Sequence, residues 1–128
     1  HYGHLIFLRE AKKAGDFLIV ALESDEFIKK YKKRKPIHSQ TQRAEILSAV
    51  RYVDLVVKLP LFTSDHEYYN FVKMLRPSVI ATSLGDPQIE NKKGQANMVS
   101  GKLKVIKNFV KDLSTQKIIQ VLKLERRD

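Results

Sequence analysis

His1 and His4 open the chain with Gly3 between them, directly ahead of the amphipathic run "LIFLREAKKAG". A helix N-terminus offers unpaired N–H groups and a partial positive charge, so phosphate binds there readily. Imidazoles in that place could donate to phosphate oxygens, and a glycine would let the backbone come close to a ligand. The same spacing suits a metal clip, although no third ligand lies nearby. It is also compatible with a surface pair or a tag remnant. Spacing alone leaves these readings open.

Two further stretches carry groups that could hold an anion. Six of the seven residues from Lys29 to Lys35, "KKYKKRK", are basic, within a net charge of +10. That balance implies a nucleotide, a phosphorylated metabolite or nucleic acid as partner, while a solvated charged face accounts for most of the run. A nucleic-acid-binding module is disfavoured because only Tyr31 interleaves aromatic character with the lysines. Ser114 and Thr115 join a hydroxyl cap to the start of a last helix, a second natural phosphate clamp, although capping alone would explain Ser114.

The elements that must position these groups alternate. Helical spacing runs over residues 5–14 and stops at Gly15, followed by a continuous apolar strand at 16–23. Ser24 caps an acidic-first-turn helix, and a loop with Pro36 covers 33–40. Next come a helix over 41–50, a strand over 52–57, a helix over 66–75 closed by Pro77, and a strand over 78–82. After the "SLGDP" turn, a helix over 88–99 leads to a strand over 102–106 and the last helix. Strands alternating with helices predict an α/β fold with a parallel sheet, ligands lying at the carboxyl ends of the strands. A helix that begins with ligand groups normally follows a strand, so a first strand is expected upstream of His1. The 128 residues then read as a single, N-terminally incomplete domain.

Composition narrows the classes. No apolar stretch approaches the roughly 20 residues of a membrane span, and no signal-peptide pattern is visible. The chain has no cysteine, which excludes disulfides and thiolate metal sites and fits a cytoplasmic protein.

"HYGHLIFLREAKKAGDFLIVALESDE" resembles the nucleotidyltransferase superfamily with a His-x-Gly-His signature, and within it the cytidylyltransferase-like branch. That branch includes glycerol-3-phosphate cytidylyltransferase, heptose-phosphate adenylyltransferase and archaeal FAD synthetase. "RKPIHSQTQRAEILSAVRYVDLVV" and "DLSTQKII" continue the resemblance in family order. It implies a Rossmann-like parallel sheet with helices on both faces. It also implies that a phosphate oxygen of a small phosphorylated substrate attacks the α-phosphorus of CTP or ATP, releasing pyrophosphate. By the same resemblance, His1 and His4 are catalytic, contacting the triphosphate and stabilising charge on the reacting phosphoryl group. Gly3, Lys33, Lys35, Arg43, Asp86, Ser114 and Thr115 would hold the nucleotide, and Arg51 the substrate. For Asp54 a structural ion pair and a catalytic part both stay open. Asp86, with Gly85 supplying backbone freedom, otherwise reads as an ordinary turn before a helix starting at Pro87. Mg²⁺ is expected with the triphosphate, without a carboxylate cluster to mark a protein-held metal site. The resemblance allows a homodimer with the "RYVD" region near its interface. Adenylyl transfer onto a sugar phosphate or FMN is the alternative within the class, and a member that binds nucleotide without catalysis is another. The family's Arg-Thr-Glu-Gly stretch before the last helix is replaced here by "FVKD".

Overall fold

The structure, a computed structural model, describes residues 1–107 and 119–123. The elements run α1 (Tyr2–Lys13), β1 (Ile19–Leu22), α2 (Asp25–Tyr31), α3 (Gln40–Ser48), β2 (Leu55–Lys58), α4 (Asp65–Leu75), β3 (Val79–Ser83), α5 (Ile89–Met98) and β4 (Lys102–Ile106), strands alternating with helices except where α3 follows α2 directly. Residues 119–123 are helical. The expected parallel α/β order is therefore present. The strands are shorter than their apolar runs, because flanking residues turn into the loops.

Hydrogen bonding divides the strands into two parallel pairs. Ile19 lies opposite Leu55 in β1–β2, and Val79 opposite Lys102 in β3–β4. No ladder joins the two pairs among the described residues, so the sheet expected as one is hydrogen-bonded as two. Helix α3 lies against β2, α5 against β3 and β4, and α1 against β4. Leu8 and Ala11 of α1, Ile28, Leu59, Val72, Ala96 and Ile106 form the buried apolar set. Each large aliphatic side chain there contributes about 1.5–3 kcal/mol by leaving water.

Side-chain caps fix where the helices start. Ser24 accepts from the Phe27 amide at 3.1 Å, and Ser39 and Gln42 close a reciprocal capping box on α3. On α4, Glu67 Oε2 accepts from the Thr63 and Ser64 amides at 2.6 and 3.1 Å. That helix ends on Arg76 in the left-handed region, φ 51°, ahead of Pro77. Gly101 lets the chain pass the preceding corner, since a Cβ there would sit 2.8 Å from the Pro77 carbonyl oxygen. Helix α5 starts at Ile89, so Pro87 belongs to the turn and not to the helix.

Candidate functional site

The first turn of α1 is made from the histidine pair itself. His1 is the N-cap, its Nδ1 accepting from the Gly3 amide at 3.1 Å. The His4 ring stacks on His1 with centroids 3.9 Å apart. Tyr2, Gly3 and His4 are thus helical rather than a turn ahead of the helix. Partial shielding from water holds the His4 imidazole below its ordinary pKa, reinforced by Lys32.

The other end of α1 shows which way the pair faces. Lys12, in the last turn, reaches Asp54 Oδ2 at 2.5 Å and the Asp16 carbonyl at 2.8 Å. Asp54 also accepts from the Leu18 amide at 2.7 Å, so it lies at the amino ends of β1 and β2. A twelve-residue helix is about 18 Å long. Its first turn therefore points toward the carboxyl ends of the strands, where open α/β sheets bind ligands. Asp54 resolves as a structural ion pair, remote from that end.

Several expected residues are gathered at the carboxyl ends, in different states. Arg43, in the first turn of α3, donates from Nη2 to the Glu23 carbonyl at 3.0 Å and to Asp25 Oδ1 at 2.8 Å, and from Nε to the His38 carbonyl. It braces the corner between β1 and α2, and its hydrogen bond holds Asp25 below the usual carboxylate pKa. Asp86 follows β3, with Gly85 at φ +84° supplying the left-handed turn. Its Oδ1 accepts from the Gln88 amide at 2.8 Å, and its Oδ2 from Thr82 Oγ1 at 2.5 Å and from Lys92 Nζ. Burial raises the Asp86 pKa, but Lys92, Thr82 and the Gln88 amide together bring it below the ordinary value. In this arrangement Asp86 closes the β3–α5 turn. Lys33, at φ 50°, and Lys35 are exposed in the loop after α2. Lys32 is the basic residue whose charge acts on His4 and on Glu23 alike. Arg51 is not brought to this end. It lies in the turn before β2 with its guanidinium 5.4 Å from the Tyr52 ring centroid. Ser114 and Thr115 lie outside the described residues. Among the described residues no three His, Asp or Glu side chains converge to hold a metal ion.

Where the chain leaves β1 lies a cavity of about 560 Å³, lined by Glu23, Phe27, Tyr31, Phe62, Tyr68 and Lys92 among others. Its size falls within the range of small-molecule pockets. Tyr68 donates from its hydroxyl to Glu23 Oε1 at 2.8 Å. Burial raises the Glu23 pKa, with the Tyr68 hydrogen bond opposing it. Burial and the neighbouring Glu23 push the Tyr68 hydroxyl well above the usual phenol value. Sequence reasoning passed over these residues. The available signal was Glu23, a lone carboxylate closing the otherwise apolar "FLIVAL" run, together with the aromatic cluster of "LFTSDHEYY".

A family model described as cytidylyltransferase-like matches residues 1–122. The bifunctional protein HldE of Campylobacter fetus is 35% identical over 124 residues, covering 96% of this chain and 25% of that protein. An FAD synthase of Pyrococcus horikoshii is 46% identical over 81 residues, 63% of this chain and 53% of that protein. The chain thus spans a quarter to about half the length of these relatives. The crystal structure of a lipopolysaccharide core biosynthesis protein from Thermoplasma volcanium superposes with a TM-score of 0.66. It is 22% identical and covers 84% of this chain and 85% of its own, a likeness of fold.

Proposed function

The chain belongs to the cytidylyltransferase-like family, and from that premise we propose that it is a nucleotidylyltransferase. It transfers CMP or AMP from the triphosphate to a small phosphorylated acceptor and releases pyrophosphate. The observation that carries this reading is the stacked His1–His4 pair on the first turn of α1, facing the carboxyl ends of the strands. In phosphoryl and nucleotidyl transfer the protein does little covalent chemistry. It positions the reacting oxygen and stabilises developing charge.

In the proposed mechanism the two imidazoles donate to oxygens of the triphosphate. A bound anion raises the pKa of His4 from its lowered starting point and favours the charged ring. Lys32 adds positive charge at the same place, Lys33 and Lys35 reach over from the loop, and Gly3 admits the phosphates close to the backbone. Arg43 and Asp86 serve by holding the corners after β1 and β3, and contact with nucleotide requires each to exchange a present partner. Ser114 and Thr115 would clamp the triphosphate from the last helix, and Arg51 keeps its expected substrate role only if the acceptor or a second copy of the chain reaches the turn before β2. The described residues do not form a cage for Mg²⁺. The ion would enter with the nucleotide, held by phosphate oxygens and water. A cytoplasmic setting accords with the absence of cysteine.

Adenylyl transfer is the second reading, favoured by the similarity to proteins named FAD synthase. The test is pyrophosphate release from CTP and from ATP with a panel of phosphorylated acceptors, sugar phosphates and FMN included. Release that requires the acceptor is the expected result. A chain that releases no pyrophosphate with any pair would overturn the proposal.

A further inference from the structure

The basic loop between α2 and α3 is fastened only at its two ends. Among the described residues, nothing from Lys33 to Ile37 makes a hydrogen bond or an ion pair. At the near end, the Lys32 amide closes α2 on the Ile28 carbonyl at 3.0 Å, and Lys33 then takes φ 50°, a conformation that favours glycine. At the far end, Gln40 opens α3 and sends its side chain out of the helix. Its Nε2 donates to the Leu22 carbonyl at 3.0 Å and to the Leu59 carbonyl at 2.8 Å. Two carbonyls can be bridged only by the N–H end of an amide, so chemistry fixes the orientation of the group. Leu22 is the last residue of β1 and Leu59 follows β2, so Gln40 seats the first turn of α3 on both strand ends. Arg43, one turn on, donates to the His38 carbonyl at 3.2 Å. Asp25, in the first turn of α2, takes the Arg43 guanidinium and the Gln40 backbone amide.

A segment with no bonds of its own goes where its ends put it, and its mobility is set by how firmly they are held. The loop carries Lys32, Lys33, Arg34 and Lys35, all exposed. Cations stabilise a reacting phosphoryl group most when they are already in place as charge develops. Satisfying the strand-end carbonyls does not by itself call for Gln40. The Leu22 carbonyl already accepts from the Leu59 amide at 2.9 Å, and Gln40 is only half-buried. We infer that Gln40 is a positioning residue: by clamping the carboxyl ends of β1 and β2, it sets where Lys33 and Lys35 stand over the phosphates. The part given to the lysines rests on the proposed nucleotidyl transfer; the clamp on the loop does not.

The test is a mutant cycle on the whole chain, read as kcat/KM for pyrophosphate release from CTP or ATP. Gln40→Met keeps the length of the side chain and removes the donor, and should lower kcat/KM about tenfold. With Lys33→Ala and Lys35→Ala already in place, the same replacement should cost less than about twofold, because the groups it positions are gone. A merely structural glutamine would cost the same factor in both backgrounds, and that result overturns the inference, as does an unchanged rate in Gln40→Met. Should Gln40→Met fail to fold in a thermal melt, Gln40→Asn, an amide one methylene short of the two carbonyls, carries the same cycle. Pyrophosphate release with losses that simply multiply leaves nucleotidyl transfer standing and sinks the positioning role. A parent chain that releases no pyrophosphate removes the transfer, and the cycle is then read on the affinity for ATP and CTP. Coupled losses of affinity support the clamp and independent ones overturn it, while a chain that binds neither triphosphate overturns both readings.

Discussion

Asp54 and Glu23 sit at opposite ends of the same pair of strands and are in opposite states. At the amino ends, one Asp54 oxygen is shared by the Lys12 ammonium and the Leu18 amide, so the carboxylate is neutralised by groups that also tie α1 to β1 and β2. At the carboxyl ends, Glu23 has one oxygen engaged by a phenol and the other buried without a partner among the described residues. Both are carboxylates next to the same short sheet. The difference is one of saturation: Asp54 is fully engaged by the groups that fix the scaffold, and Glu23 is only half satisfied. Asp86 shows that the carboxyl end is not open throughout, since Thr82, Lys92 and the Gln88 amide occupy it.

The largest expected effect breaks the open end. If the histidine pair works on the triphosphate as proposed, His4→Ala should lower kcat/KM for pyrophosphate release by on the order of 10²–10³-fold. The cost in stability should stay below about 1 kcal/mol, because the His1 cap on the Gly3 amide remains. An undiminished rate would remove His4 from the mechanism and with it the contrast between the two ends. Next in size is Asp86→Ala. It strips a partner from Thr82, which is 1% exposed, and from Lys92. The expected loss is about 1–3 kcal/mol in urea unfolding. Asp86→Asn, which keeps an acceptor for Thr82 and the Gln88 amide, should recover part of it. A variant that lost activity at full stability would move Asp86 from the closed class to the open one.

How far the sequence reveals this contrast depends on whether the determining signal is local. Helix starts at Ser24 and Ser39 were readable because a cap and its partner lie three residues apart. The parallel order followed from apolar strands alternating with helices. The division into two strand pairs was not readable, because register between strands is a property of assembly and not of either run. Among site residues, His1 and His4 stood out through their position at a helix start. Arg43 was found as a residue but not as a brace, since the Glu23 carbonyl and Asp25 that it holds lie 20 and 18 positions away. Glu23 and Tyr68 escape a sequence reading for the same reason. Tyr68 is 45 positions from its partner, and no spacing rule reaches that far.

A smaller effect sharpens the closed end. Asp54→Asn removes the charge that Lys12 neutralises and should lower the melting temperature modestly, while pyrophosphate release per folded molecule stays unchanged. The exposed setting of the pair, 30% and 29% for the two side chains, keeps this below the Asp86 effect. A large loss of activity at constant stability would show that the amino end is not mere scaffold.

The smallest effect is also the most direct comparison, a carboxylate titration of the two residues in one sample. The Lys12 hydrogen bond, then the Leu18 amide, hold Asp54 below its ordinary 3.8, whereas burial lifts Glu23 above its ordinary 4.5. For Asp54 the folded-state pKa lies below the unfolded one. Its stabilisation is present at pH above the unfolded value and is lost as pH falls through the folded value. For Glu23 the folded-state pKa lies above the unfolded one, so the folded chain binds the proton more tightly. Its contribution favours folding at pH below the unfolded value and is lost as pH rises through the folded value. Carbon-detected NMR from neutral pH downward should therefore show Glu23 titrating first, above 4.5, and Asp54 last, below 3.8. If Glu23 titrated together with Asp54 or after it, the two carboxylates would not be in opposite states, and the contrast between the two ends would fall.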